Sequence, residues 1–170
     1  YEYMNKFYVL EGNKRVSVLK YFKAVTINAE VIRKIPKKSD DPDVKIYYEF
    51  MDFYKCTKMN DIYFSQPGNF STLMELVGIK PGVLMDEDDK MDFASSFLNF
   101  RNAYEMRGGE KFDFPVGDAY LRFIHIHGYE TVRHMSLPEM NANVRKTWAE
   151  FELLSENRVV DLKMNPAAIP

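Results

Sequence analysis

The spacing of apolar positions changes character once along the chain, near Pro42. Before it, apolar residues come in short runs. Phe7-Tyr8-Val9-Leu10 is one such run and predicts a strand. It ends in Glu11-Gly12-Asn13-Lys14-Arg15, after which the segment to Phe22 takes on helical spacing, so the stretch reads as strand, tight turn and helix start. The stretch Ile35-Pro36-Lys37-Lys38-Ser39-Asp40-Asp41-Pro42, with its two prolines and reversal of charge, marks a boundary.

Beyond that boundary the period is helical. Val44, Tyr47, Tyr48, Met51 and Tyr54 recur at spacings of three and four, with Phe50 and Phe53 on another side, which predicts a heavily buried helix. Ile62-Tyr63-Phe64 is a short extended candidate closed by Gln66-Pro67-Gly68. Phe70, Leu73, Met74 and Val77 then predict a helix ended by Gly78. Asp86-Glu87-Asp88-Asp89 suits the positive end of a helix dipole and opens a helix with Phe93, Phe97, Phe100 and Tyr104 on one face, stopped at Gly108-Gly109. Two further helices are expected from Val116. One carries Tyr120, Phe123, Ile124 and His127 and ends at Gly128. The other starts at the capping box Ser136-Leu137-Pro138-Glu139 and runs through Met140, Val144, Trp148 and Phe151. From Val159 through Asp161, Lys163, Pro166 and Pro170 the periodicity is lost. The expected organisation is therefore α+β: a strand-turn-helix-strand unit over 1–38, an aromatic-rich helical region over 43–156, and a tail or linker over 157–170.

Composition sharpens this reading where it is uneven. The 170 residues include 13 Phe and 11 Tyr, enough apolar content for a sizeable core. Up to Lys38 there are nine Lys/Arg against three Asp/Glu, and after it fourteen against twenty-two, so the anion-attracting potential is concentrated in the N-terminal unit. The acidic helical region argues against a duplex-binding face, since gripping many phosphates needs a broad basic surface. No stretch approaches the roughly 20 consecutive apolar residues of a membrane span, and no signal-peptide pattern opens the chain. A lone Cys56 excludes an internal disulfide. Together these point to a soluble, cytoplasmic chain, and its many aromatic residues would allow a homodimer interface.

The most suggestive chemistry lies at the turn. Free backbone N–H groups at a helix start favour anions, Gly12 permits close approach to the backbone, Asn13 adds a polar group, and Lys14 and Arg15 bring full positive charges. A phosphate is the expected guest.

The run Val9-Leu10-Glu11-Gly12-Asn13-Lys14-Arg15-Val16-Ser17-Val18-Leu19-Lys20 resembles the central motif of the ParB/sulfiredoxin-like superfamily: an apolar strand, Asp or Glu, Gly, two polar or basic residues, Arg, and an alanine-rich helix. Thr26-Ile27-Asn28-Ala29-Glu30-Val31-Ile32 looks like the next strand of that fold. The resemblance covers about the first fifth of the chain. It implies that this loop and helix start hold a nucleotide phosphate, CTP or ATP with Mg²⁺ being examples, with Arg15 at the position of the most characteristic arginine. Asn13 stands where sulfiredoxins carry cysteine, which argues against peroxiredoxin repair. Ser17 stands where CTP-hydrolysing partition proteins would carry a further arginine, which argues against CTP switching. The Gly-Asn-basic-Arg form is closer to the broad ParB-like domains, some of them linked to nuclease or kinase activity. Because the family fold normally has a segment before this strand, the chain starting at Tyr1 reads as a fragment or processed product.

Three function classes follow. The first is a phosphate- or nucleotide-binding regulatory module using Gly12, Asn13, Lys14 and Arg15, with Glu11 as a polar or metal-directed contact. The second is a nuclease or phosphotransferase in which Glu11 is general base or Mg²⁺ ligand, with Lys14 and Arg15 stabilising phosphate charge. The third is a DNA-binding partition or transcription factor. Other candidates are weaker. His125 and His127 fall on nearly opposite sides of a helix, and neither they nor His134 have a partner at zinc-like spacing. Asp86–Asp89 lacks the ligand spacing of a calcium loop. Cys56 sits among aromatics as a small core residue.

Overall fold

The computed structural model describes residues 1–24 and 27–164, with side chains as far as Glu156. The architecture is α+β. Strands β1 (Glu2–Tyr3), β2 (Lys6–Phe7) and β3 (Arg33–Lys34) form a small mixed sheet in the order β2-β1-β3, with helix α1 (Asn13–Tyr21) between β2 and β3 in the chain. β1 and β2 are antiparallel, with Glu2 opposite Phe7, and β1 and β3 are parallel, with Glu2 opposite Arg33. The hairpin turns through Met4 and Asn5, both at positive φ (48° and 63°), the geometry that matches the right-handed twist of the flanking strands.

The predicted strand over Phe7–Leu10 is shorter than its apolar run. Tyr8 still donates its N–H to the Tyr1 carbonyl at 2.8 Å, but Val9 and Leu10 have no strand opposite them and leave the ladder. The second strand also falls later than expected. Residues 27–32 are irregular, and pairing with β1 begins only at Arg33, after Glu2 N–H reaches the Ile32 carbonyl at 3.0 Å. Thr26 lies outside the described residues.

The helical body comprises α2 (Pro42–Thr57), α3 (Asn69–Val77), α4 (Glu87–Met106), a 3-10 turn (Gly109–Lys111), α5 (Val116–His127), α6 (Tyr129–Arg133), α7 (Leu137–Lys146) and α8 (Trp148–Met164). Local signals set its ends. The Asp41 carboxylate accepts from the Asp43 N–H at 2.8 Å with Pro42 in the first turn, and Asp86 caps α4 through the Asp89 N–H at 2.9 Å. Glu139 accepts from the Ser136 N–H at 2.9 Å and its hydroxyl at 2.6 Å; these bonds hold the Glu139 carboxyl below its usual range.

Four features depart from the expected elements. Ile62–Phe64 joins no sheet, although Ile62 and Phe64 are buried. The helix expected to run unbroken from the capping box through Phe151 is divided at Thr147, whose hydroxyl is drawn to the Asn143 carbonyl and to His127 Nε2, each at 2.9 Å. The short α6, anchored by buried Tyr129 and Val132, follows directly on Gly128. In addition, α8 continues to Met164, past the point where periodicity fades. Residues 165–170 lie outside the described residues.

The core is an aromatic lattice contributed by α2, α3, α4, α5 and α8. Phe53 meets Phe70 at 5.3 Å between centroids, Phe97 meets Tyr120 at 5.1 Å, Phe100 meets Phe123 at 5.0 Å, and Tyr104 packs edge-on to Phe151 at 5.3 Å. Burial pushes the Tyr120 phenol up, and its hydroxyl is matched by Ser96 Oγ at 2.7 Å. Gly117 is required by close packing: a Cβ there would stand 2.2 Å from the Tyr63 carbonyl oxygen. No helix of the described residues is long and apolar enough to cross a membrane.

Candidate functional site

Helix α1 begins without a side-chain cap. Its N-cap is Gly12, at φ 84° and ψ 22°, a left-handed conformation that a side chain would strain. The first bond into the helix runs from Val16 N–H to the Gly12 carbonyl at 3.0 Å, so the N–H groups of Asn13, Lys14 and Arg15 have no acceptor within the helix. None of the first-turn residues is acidic, so no carboxylate within the helix offsets the positive end of the dipole.

That helix start opens on a cleft of about 420 Å³ lined by Glu11, Gly12 and Arg15 on one side and by the stretch 27–32 on the other, with Phe7 and Tyr8 as aromatic walls. The cleft thus gathers three of the five motif residues. Asn13 and Lys14 are exposed but do not line it. Glu30, which belongs to no motif, lines the same cleft as Glu11, so two carboxylates and one guanidinium share it. Among the described residues no group of three or more His, Cys, Asp or Glu side chains is arranged to hold a metal ion.

The sheet is tied to the helical body by a buried carboxylate. Glu2 is 1% exposed and accepts from Arg33 Nε at 2.5 Å, from the Tyr47 hydroxyl at 3.0 Å and from the Asn5 N–H at 2.7 Å. Burial first, and then the bond to Glu2, push the Tyr47 phenol up to about 12. The Arg33 guanidinium lies over the Tyr54 ring at 4.5 Å and donates to Met51 Sδ at 3.5 Å. Arg33 is therefore the clamp between sheet and α2 and is not one of the cations of the cleft.

A second cavity, of about 400 Å³, lies in the helical body beside Asn69, Asp118, Arg122 and His125. Its polar groups have structural work. Asp118 is buried in the first turn of α5 and accepts from the Ser65 N–H at 3.2 Å and from Asn69 Nδ2 at 2.9 Å, while Arg122 is paired with Glu150. The three histidines are separated in space by their roles. His125 lines this cavity, His127 meets Thr147, and His134 stands 3.9 Å from Glu130. Cys56 is buried, its Sγ 3.6 Å from the Lys80 carbonyl.

No family model, curated protein or solved structure matches the chain.

Proposed function

We propose that the N-terminal unit is a phosphate-binding module of ParB-like type that takes a nucleotide, with the helical body as its docking or dimerisation partner surface. One observation carries this reading: an uncapped helix start on left-handed Gly12 and the Arg15 side chain share one cleft. Free N–H groups and a guanidinium are the two donors best suited to phosphate oxygens, the first through the helix dipole and the second through its planar fork. Phe7 and Tyr8 supply flat apolar walls on which a base or sugar would rest.

Glu11 and Glu30 oppose a bare phosphate by charge. A phosphate that arrives with Mg²⁺ removes the conflict, because this ion is commonly held by one or two carboxylates together with the phosphates themselves. Two carboxylates fit that shared arrangement and are too few for a self-standing site. The ion would supply charge neutralisation, and Arg15 and the backbone N–H groups would orient the ligand.

Calorimetric titration with CTP, ATP, GTP and pyrophosphate, with and without Mg²⁺, tests this. Saturable binding that is strengthened by Mg²⁺ and lost in Arg15→Ala is the expected result. Affinity retained in a folded Arg15→Ala protein, or no binding of any of these ligands to the intact fold, refutes the reading.

A further inference from the structure

Seven arginines are described with their side chains, and four of them are ion-paired: Arg33 with Glu2, Arg101 with Asp61, Arg122 with Glu150 and Arg133 with Asp92. Of the other three, Arg15 belongs to the α1 cleft. Arg107 and Arg145 line a single groove of about 440 Å³ between the end of α4 and α7, together with Ala103, Met106, Asn141 and Ala142. No carboxylate among the described side chains pairs with either guanidinium.

Each arginine stands at a helix C-terminus, Arg107 as the C-cap of α4 and Arg145 in the last turn of α7. Helix dipoles favour one cation at each end. They do not account for two arginines lining one groove that has no acidic residue in its lining. The exposed Arg107 guanidinium also has a ring to rest on: its carbon lies 5.1 Å from the Trp148 ring centroid, a stacking contact that leaves its N–H donors without a carboxylate partner among the described side chains.

We propose that this groove is a second anion site, distinct from the α1 cleft, and that it takes a phosphomonoester dianion between Arg107 and Arg145. The stoichiometry of donors selects this class. One arginine fork matches the two oxygens and the single charge of a carboxylate, whereas a phosphomonoester presents three terminal oxygens and a second negative charge and so suits two forks better. The remaining lining suits the esterified group. Ala103 and Ala142 are small, and Met106, 84% exposed, offers an apolar, adaptable contact beside the charged end.

Trp148 is the only tryptophan of the chain, so its fluorescence reports this groove and not the α1 cleft. The test titrates the full chain with inorganic phosphate and with a phosphoserine peptide, at ionic strength held constant with chloride. A saturable change in Trp148 emission is expected, weakened roughly tenfold or more in Arg145→Gln, which leaves the Arg107–Trp148 contact in place, and unchanged in Arg15→Ala. A tighter response to the peptide is the expected result, and a tighter response to inorganic phosphate overturns the assignment to an esterified phosphate. The proposal is overturned by the absence of a saturable change, by an equal change in Arg145→Gln, or by its loss in Arg15→Ala. Because the α1 cleft is read by calorimetry with the Arg15 variant and this groove by Trp148 with the Arg145 variant, either site can fail without the other.

Discussion

The N-terminal unit and the helical body contain apolar residues of the same kinds and use them in opposite ways. In the body, Phe53, Phe93, Phe100 and Phe123 are completely removed from solvent. In the N-terminal unit Leu10 is 65% exposed, Phe22 73% and Tyr21 82%, and α1 buries none of its residues. The difference is one of geometry. Long helices present faces that interlock with neighbouring helices, whereas strands of two residues and one short helix offer no second layer to pack against. The unit that lacks a core is also the one with the excess of cations and the uncapped helix start. A large exposed apolar surface beside unpaired donors is characteristic of a surface that meets a ligand or partner.

The contrast is largest in stability. Phe100 touches Tyr104, Tyr120, Phe123 and Phe151, so Phe100→Ala leaves a void in the lattice and is expected to cost about 3–5 kcal/mol. Tyr21→Ala, at an equally aromatic but exposed position, is expected to stay within about 0.5 kcal/mol. Denaturant titrations of the two variants measure both. Equal losses would mean that α1 is packed as firmly as the core.

The coupling between the two regions rests on Glu2. Glu2→Ala leaves the Tyr47 hydroxyl and the Arg33 guanidinium without their acceptor. Removing one member of a buried ion pair costs several kcal/mol, and because Arg33 is 22% exposed a loss of about 2 kcal/mol is expected. It should fall on the sheet. Amide exchange at Tyr8, which bonds back to Tyr1, should accelerate well over tenfold, while the α4 amides keep their protection. Exchange that accelerated evenly through α4 would show that sheet and body unfold as one unit.

How far each region could be read from the sequence follows from the range of its interactions. The faces of α2, α3, α4 and α5 are written in spacings of three and four, and the side-chain caps of α2 and α4 lie within three residues of the groups they satisfy. The ties that position the sites have no such local signature. Glu2 reaches Arg33 across 31 positions and Tyr47 across 45, and Asp118 reaches Asn69 across 49. By charge alone Arg33 is indistinguishable from the motif cations, and nothing local marks Glu30 as a residue that faces the cleft of Glu11. The break at Thr147 was hidden for a related reason. The apolar period continues through Trp148 and Phe151, and only the hydroxyl's bond to His127, 20 positions away, distinguishes Thr147 from an ordinary helical residue.

That same bond carries the smallest expected effect, a pH dependence confined to the body. His127 sits against the Phe123 ring at 4.5 Å with Nε2 on the Thr147 hydroxyl, and burial first, then the nearby Lys146 charge, hold its pKa below the ordinary histidine value. The unfolded chain therefore binds a proton at a higher pH than the folded one does. Between the two values the unfolded state carries more protons, so stability rises with pH in that window. The contribution is fully present above the unfolded value of about 6.5 and is lost as pH falls through the folded value. In His127→Gln, which keeps an amide group for Thr147, the part of the stability change due to this ring should vanish. The measurement is the difference in unfolding free energy between the two proteins from neutral to mildly acidic pH. It should narrow as pH falls, because only the parent protein loses this stabilisation. A difference that stays constant would mean that the imidazole is as readily protonated in the folded helix pair as in water, and one that widens toward acid would mean that it is protonated more readily there.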